Sequence, residues 1–304
     1  MHLQSAGMQK DNQLLAVFRA LRPHQWSKNL LLIVPAVAAQ IWMEPDVVLE
    51  LVLACVAFSL TASGGYILND LIDFDADRRH PEKQSRPFAS GQLSLSWGFV
   101  MGPVLLFSGI AVAYSVVNIQ FGTVVVTYAL LSAAYSRWIK RRLLLDVMLL
   151  AGFYALRLVA GGAAVSVEVS SWLLAFSMFF FLSLAFAKRL MEFDLSAQEH
   201  LSSSSARPYT SVDRDAFRTI GPTCGLLSIL VLALYISSDT VQAIYGRPQA
   251  LWLVCPLLLY WILRIWFIAL RGDLHHDPVV FALRDRVSYA VAGAILVVLY
   301  LASR

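Results

Sequence analysis

Between Asn69 and Pro87 the chain reads NDLIDFDADRRHPEKQSRP, with four aspartates in eight residues and then Arg78, Arg79, Lys83 and Arg86. Asp70, Asp73 and Asp77 are spaced three and four apart. If this strip continues a helix, their carboxylates share one face about a turn apart, and Asp75 points elsewhere. Carboxylates so placed repel one another unless a cation sits among them, and hard oxygen ligands of this kind suit Mg2+. Lys83 and Arg86 follow in the same loop. Cations beside a Mg2+ site match the remaining oxygens of a diphosphate. The alternative is a solvated polar loop, but four carboxylates beside apolar spans are expensive to keep without a use.

Other candidates are more dispersed. Arg157, in DVMLLAGFYALRLVAGG, falls in the middle of an apolar run, where an arginine costs at least ~2.5–3.5 kcal/mol unless it faces a cavity or partner. It either reaches a phosphate or pairs with an inward carboxylate, for which Asp146 is a candidate; eleven residues along one helix rule out a direct pair between them. FLSLAFAKRLMEFD sets Lys188 and Glu192 one turn apart with Arg189 adjacent, a pattern that serves either a polar cavity or a helix-end ion pair. DPVVFALRDRVS gathers Asp277, Arg284, Asp285 and Arg286 before the last apolar run, where capping and topology are competing roles. His80, His275 and His276 lack metal-ligand spacing, and Cys55, Cys224 and Cys255 suggest neither a disulfide framework nor a zinc site.

The elements that must position these groups are apolar. A chain of 304 residues that is 58% hydrophobic and 14% charged is an integral membrane protein, all-α by its long apolar runs. Nine spans are predicted, at 29–43, 47–68, 97–117, 121–138, 143–165, 170–188, 220–238, 250–269 and 287–303. The first and fourth are short for a core about 30 Å thick. Of the 24 lysines and arginines, only Arg247 and Arg304 fall on the far side and Arg157 and Arg264 well inside spans, with Arg137 and Lys188 at span ends on the N-terminal side. The positive-inside rule therefore places the N-terminus and the long loops in the cytoplasm of a cell (inner) membrane. The net charge of +4 reports that topology; no basic and aromatic pattern suggests nucleic acid. Residues 1–28 read as a cytoplasmic amphipathic segment, 69–96 and 189–219 as cytoplasmic loops bearing the chemistry, and 1–304 as a single domain. The serine-rich stretch from Ser196 to Asp215 is either a lid or a plain linker.

NDLIDFDADRRHP fits the NDxxDxxxD signature of the UbiA superfamily of intramembrane prenyltransferases, with Asn69, Asp70, Asp73 and Asp77 in the motif positions. LRPHQWSKN, HPEKQSRP, RLVAGG, AKRLME and DPVVFALRDR, spread over nearly the whole chain, resemble its decaprenyl-phosphate phosphoribosyltransferase branch. The resemblance implies a nine-helix bundle around a cavity open to lipid. It also implies transfer of the 5-phosphoribosyl group of phosphoribosyl diphosphate (PRPP) to a polyprenyl phosphate, releasing diphosphate, for cell-envelope polysaccharide precursors. Most members carry a second aspartate-rich motif after the sixth span; here Lys188, Arg189 and Glu192 stand there. Lysine and arginine cannot ligate Mg2+ but suit a further phosphate. On this reading Asp70, Asp73 and Asp77 hold Mg2+ on the donor's diphosphate, and Asn69, Lys28, Lys83, Arg86, Arg157, Lys188, Arg189 and Glu192 bind substrate. An aromatic prenyltransferase and a non-enzymatic lipid-phosphate carrier are the alternatives.

Overall fold

The computed structural model describes residues 13–79, 83–198, 209–210, 212–274 and 277–303. The N-terminal end of the amphipathic segment, most of the serine-rich stretch, and His80, His275 and His276 lie outside the described residues. Among those described there is no strand, and eight helices are long and apolar enough to cross a membrane. The protein is a multi-pass, all-α membrane protein. In chain order, α1 is the amphipathic helix 13–21 and α2 to α9 are the eight spans: Pro45–Ile72, Leu95–Val117, Ile119–Arg137, Leu145–Ala164, Ser171–Gln198, Asp213–Ile236, Pro248–Leu270 and Arg286–Ser303.

The span expected at 29–43 takes another form. Pro23–Ile33 is a 3₁₀-helix that runs directly into a five-residue α-helix, Val34–Ala38. At about 2.0 Å per residue for 3₁₀ and about 1.5 Å for α, the stretch rises about 30 Å, the length of a span without the regularity of one. Two helices outrun their apolar cores. Helix α2 has 28 residues, about 42 Å, so its last turns, with Asn69 and Asp70, project beyond a hydrocarbon core about 30 Å thick. Helix α6 likewise carries Lys188, Arg189 and Glu192 on helix, so both expected loops begin later than 69 and 189.

The chain gathers into two compact units. The first comprises the residues up to Arg137 together with Arg157–Glu168. Its central pair, α2 and α3, is brought close by glycine: a Cβ at Gly64 would lie 2.5 Å from the Leu106 backbone nitrogen, and one at Gly109 would lie 2.4 Å from the Thr61 hydroxyl. Without a hydrophobic drive between helices in lipid, such close backbone approach supplies the packing. The C-terminal part of α5 holds the 3₁₀ stretch in the same way, Gly161 lying against the Leu32 carbonyl.

The second unit comprises Trp138–Leu156 and Val169–Arg304. Helices α6 and α7 form its most extensive pair, and α8 packs on both. Trp266 Nε1 donates to Ser183 Oγ and Trp261 Nε1 to Ser288 Oγ, each at 2.8 Å, so both buried indoles satisfy their only donor. Large apolar side chains such as Phe99, Phe107, Leu130 and Phe267 stay exposed on the outer faces, as a lipid-facing surface requires.

Candidate active site

In the first unit the aspartate strip is built where α2 ends. Asp73 caps the helix, its N–H donating to the Asn69 carbonyl at 2.9 Å. The chain then restarts as a short helix, Phe74–Arg79, whose Asp77 N–H donates to the Asp73 carbonyl at 2.8 Å. The helical path is thus nearly continuous. Asp70 and Asp77 turn inward and are 2% and 3% exposed, Asp73 is half-buried, and Asp75 faces solvent, the division that the spacing predicts.

Two arginines hold the buried pair. Arg86 Nη1 donates to Asp70 Oδ1 at 3.0 Å and to Asp77 Oδ2 at 2.6 Å, so one nitrogen spans both carboxylates. Arg22 Nη2 also donates to Asp70 Oδ1. Arg22 sits at the joint between α1 and the 3₁₀ stretch in the left-handed backbone region, φ 54° and ψ 58°, which costs a non-glycine residue about 1–2 kcal/mol. Side chains fix the joint: Ser63 Oγ donates to the Leu21 carbonyl at 2.8 Å and accepts from Trp26 Nε1 at 3.0 Å. Sequence reasoning overlooked Arg22 as a site residue, because an amphipathic segment gives its cations a sufficient reason to exist. Arg19, Arg22, His24, Asp70, Arg86 and Pro87 line a cleft of about 230 Å3. Burial pushes the Asp77 carboxyl above the ordinary carboxylate range, despite the nearby guanidinium of Arg86.

The donor set suits a divalent ion. Among the described residues no three acidic, histidine or cysteine side chains converge on one point. Asp70 and Asp77 nevertheless offer hard oxygens on either side of a single nitrogen, and the neighbouring Asn69 Oδ1 is buried with no hydrogen-bond partner. An orphaned buried oxygen costs about 1–3 kcal/mol, which a cation ligand removes. Of the other residues expected here, Lys83 is exposed on the loop and Lys28 is half-buried in the 3₁₀ stretch.

Deeper in the same unit, Arg157 is buried. Its Nε donates to Asn29 Oδ1 at 3.2 Å and its Nη2 to the Tyr128 hydroxyl at 3.3 Å. The guanidinium also lies 5.1 Å from the Phe58 ring centre and 5.0 Å from that of Tyr128, within cation–π range. Asn29 in turn donates to Ser59 at 2.9 Å. Asn29 and Tyr128 carry no sequence signal, lying 128 and 29 residues from Arg157.

The second unit holds the other basic cluster. Lys188 Nζ pairs with Asp277 Oδ2 at 2.8 Å. Arg189, 2% exposed, donates to Asp146 Oδ2 at 2.8 Å and to Glu192 Oε2 at 2.5 Å. Tyr209 donates its hydroxyl proton to the other oxygen of Asp146 and accepts from the Leu144 N–H at 3.2 Å. Burial and then the Asp146 bond push that phenol well above its usual range. Asp146, a candidate partner for Arg157, thus serves Arg189 and Tyr209. The remaining cluster is structural in geometry: Asp277 caps Pro278–Ala282, and Asp285 takes both Arg264 Nη atoms, at 2.7 and 2.9 Å, together with the Ser288 N–H at 2.8 Å.

Comparison with known proteins adds four findings. The UbiA prenyltransferase family model matches residues 31–287. An uncharacterized protein of Sinorhizobium fredii, y4nM, is 37% identical over 277 residues, 90% of this chain and 53% of that protein, so the chain spans about half of this relative's length. A decaprenyl-phosphate phosphoribosyltransferase of Mycobacterium tuberculosis is 28% identical over 288 residues, 93% of this chain and 92% of that one. Among solved structures, a UbiA homolog from Archaeoglobus fulgidus bound to GPP and Mg2+ superposes with a TM-score of 0.70, covering 94% of this chain and 99% of that one. At 16% identity that likeness is one of fold.

Proposed function

The chain belongs to the UbiA prenyltransferase family, and from that premise we propose that it transfers the 5-phosphoribosyl group of phosphoribosyl diphosphate to a polyprenyl phosphate, releasing diphosphate. The observation that carries the reading is the site in the first unit: two buried carboxylates held by two guanidiniums that line a cleft, with an unpartnered amide oxygen on the residue before Asp70. That donor set suits Mg2+ and diphosphate together. The phosphoribosyltransferase name of the mycobacterial relative supports the choice of donor. So does the basic character of Lys188 and Arg189, where a second aspartate motif would otherwise supply metal ligands.

Asp70, Asp73 and Asp77 would hold Mg2+, Asp73 being the least buried of the three, with Asn69 beside them. Bound there, the ion would neutralise charge developing on the departing diphosphate. Arg22 and Arg86 supply further donors to phosphate oxygens. The acceptor's phosphate oxygen attacks the anomeric carbon as the bond from that carbon to diphosphate breaks, inverting the centre. A lipid phosphate is ionised at neutral pH, so no proton need be removed and positioning suffices. Lys28, Lys83 and Arg157 are proposed as further phosphate partners. Of the basic pair on α6, Lys188 is the better candidate for a phosphate, because its side chain is 26% exposed where that of Arg189 is 2%. The cation-rich side is proposed to face the cytoplasm of a cell membrane, with the product a cell-envelope polysaccharide precursor.

Membranes carrying the protein are given donor labelled in the ribose, with polyprenyl phosphate and Mg2+. Label should enter organic-extractable lipid only when all three are present. If label stays aqueous while a prenyl diphosphate is consumed with an aromatic acceptor, the donor assignment is wrong and only the family stands.

A further inference from the structure

We propose that Arg22 and Arg86 are exchange partners: they hold Asp70 and Asp77 until a divalent ion and a diphosphate arrive together, then pass to the diphosphate, so that neither ligand binds well alone. The proposal rests on the reading of this site as the seat of a metal diphosphate.

A divalent ion and the two guanidiniums compete for the same atoms. Arg86 Nη1 bonds both carboxylates and Arg22 bonds Asp70 Oδ1, and these are the oxygens that a cation would take. Charge decides how the competition resolves. Two carboxylates and two guanidiniums balance. A dication added alone leaves two positive charges uncompensated beside buried groups, in a cleft that Arg19 and His24 also line. A diphosphate added alone faces two carboxylates that are almost wholly buried. Added together, the ion offsets half or more of the diphosphate's charge, the cleft's cations, Arg19 among them, offset the remainder, and each arginine exchanges a carboxylate for a phosphate.

The geometry allows that movement. The carboxylates are fixed by burial, whereas the Arg22 and Arg86 side chains are 19% and 26% exposed and border the same cleft of about 230 Å3. The backbone at Arg22 is tied down on either side, through the Leu21 carbonyl and the Trp26 indole on Ser63, so only its side chain need swing. Asn69 Oδ1, on the residue before Asp70, is buried and unsatisfied while the arginines hold the carboxylates, and a cation that reached it would remove that cost.

The test counts Mn2+ bound to the purified full chain by electron paramagnetic resonance, with and without inorganic diphosphate. Wild type should bind Mn2+ at least tenfold more tightly when diphosphate is present. Arg86→Gln should bind Mn2+ alone at least tenfold more tightly than wild type and inorganic diphosphate more weakly. Arg86→Lys, which keeps the charge on a single-headed donor, should fall between, and Arg22→Gln repeats the test should the first variant not fold. Asp70→Asn should remove the signal, which locates it. Equal Mn2+ affinity with and without diphosphate in wild type, or no gain in Arg86→Gln and Arg22→Gln, overturns the exchange. Neither readout involves ribose: linked binding without phosphoribosyl transfer would sink the proposed function alone, and transfer with unlinked binding would sink the exchange alone.

Discussion

Replacing Asp77 by Asn should separate activity from stability, and Asp75→Asn provides the matched control two residues away. Asp77 is 3% exposed and takes a 2.6 Å bond from Arg86; Asp75 is exposed. Asparagine keeps the size and removes the charge. Burial already pushes the Asp77 carboxyl upward, toward its neutral form, so folding should tolerate a neutral isostere, with a change of no more than about 1 kcal/mol in either direction. Catalysis should not. Losing one anionic ligand of the bound ion, taken as about 1.5–3 kcal/mol by analogy with a charge-assisted bond, at about 1.36 kcal/mol per tenfold, lowers kcat/KM by roughly ten- to more than a hundredfold. Asp75→Asn, as a surface change, should stay within about 0.5 kcal/mol, roughly twofold. The assay pairs label transfer to lipid with a thermal melt of the purified protein. Equal loss of activity at both positions would refute the shared helical face, and a large fall in melting temperature for Asp77→Asn would refute the claim that its charge serves chemistry more than folding.

Arg189→Ala strands Asp146, which is fully buried, with Tyr209 as its remaining described partner of the pair; breaking such a buried pair costs about 3–5 kcal/mol. A thermal melt should show it, and a raised donor KM without loss of stability would instead assign Arg189 to substrate. Gly64→Ala should destabilise by about 1–3 kcal/mol, since its Cβ would meet the α3 backbone at 2.5 and 2.6 Å, whereas Gly65→Ala, with nothing within 4 Å, should gain up to about 1 kcal/mol. Unfolding curves of the two variants moving the same way would contradict this packing of α2 on α3. Burial alone would raise the Asp285 carboxyl, but bonds from Arg264 and Ser288 hold it below the ordinary carboxylate range. Its contribution is therefore present above that range and lost as pH falls through it. Melts from pH 7 down to pH 3 should show an acid limb that Asp285→Asn flattens, and an unchanged limb would reject the role.

Hydropathy located eight helices, six of them within four residues at both ends, because it reports the lipid's demand for apolar length. It could not report where a helix stops, since backbone hydrogen bonds carry α2 to Ile72 and α6 to Gln198, past the point where the side chains turn polar. Those extra turns matter, because they put Asn69 and Asp70 on helix and give the aspartates their shared face. The 3₁₀ geometry of Pro23–Ile33 was equally hidden: a stretch of that composition is compatible with either helix, and the close approach of Gly161 to the Leu32 carbonyl is set by tertiary contact.

Periodicity sees neighbours three or four residues apart, and the site depends on partners much farther away. Arg22 meets Asp70 across 48 residues, Arg189 meets Asp146 across 43 and Lys188 meets Asp277 across 89. For Asp70 this distance has a chemical result. Carboxylates on one face, taken alone, call for a cation, and a divalent ion is the simplest answer. The fold supplies two guanidiniums first, one from the joint before the 3₁₀ stretch and one from the loop after the strip. A carboxylate pair matched in this way can stay buried and folded before any ligand arrives. The same arginines then make metal affinity depend on what accompanies the metal, which is why metal binding measured with and without diphosphate is more informative about this site than either measurement alone.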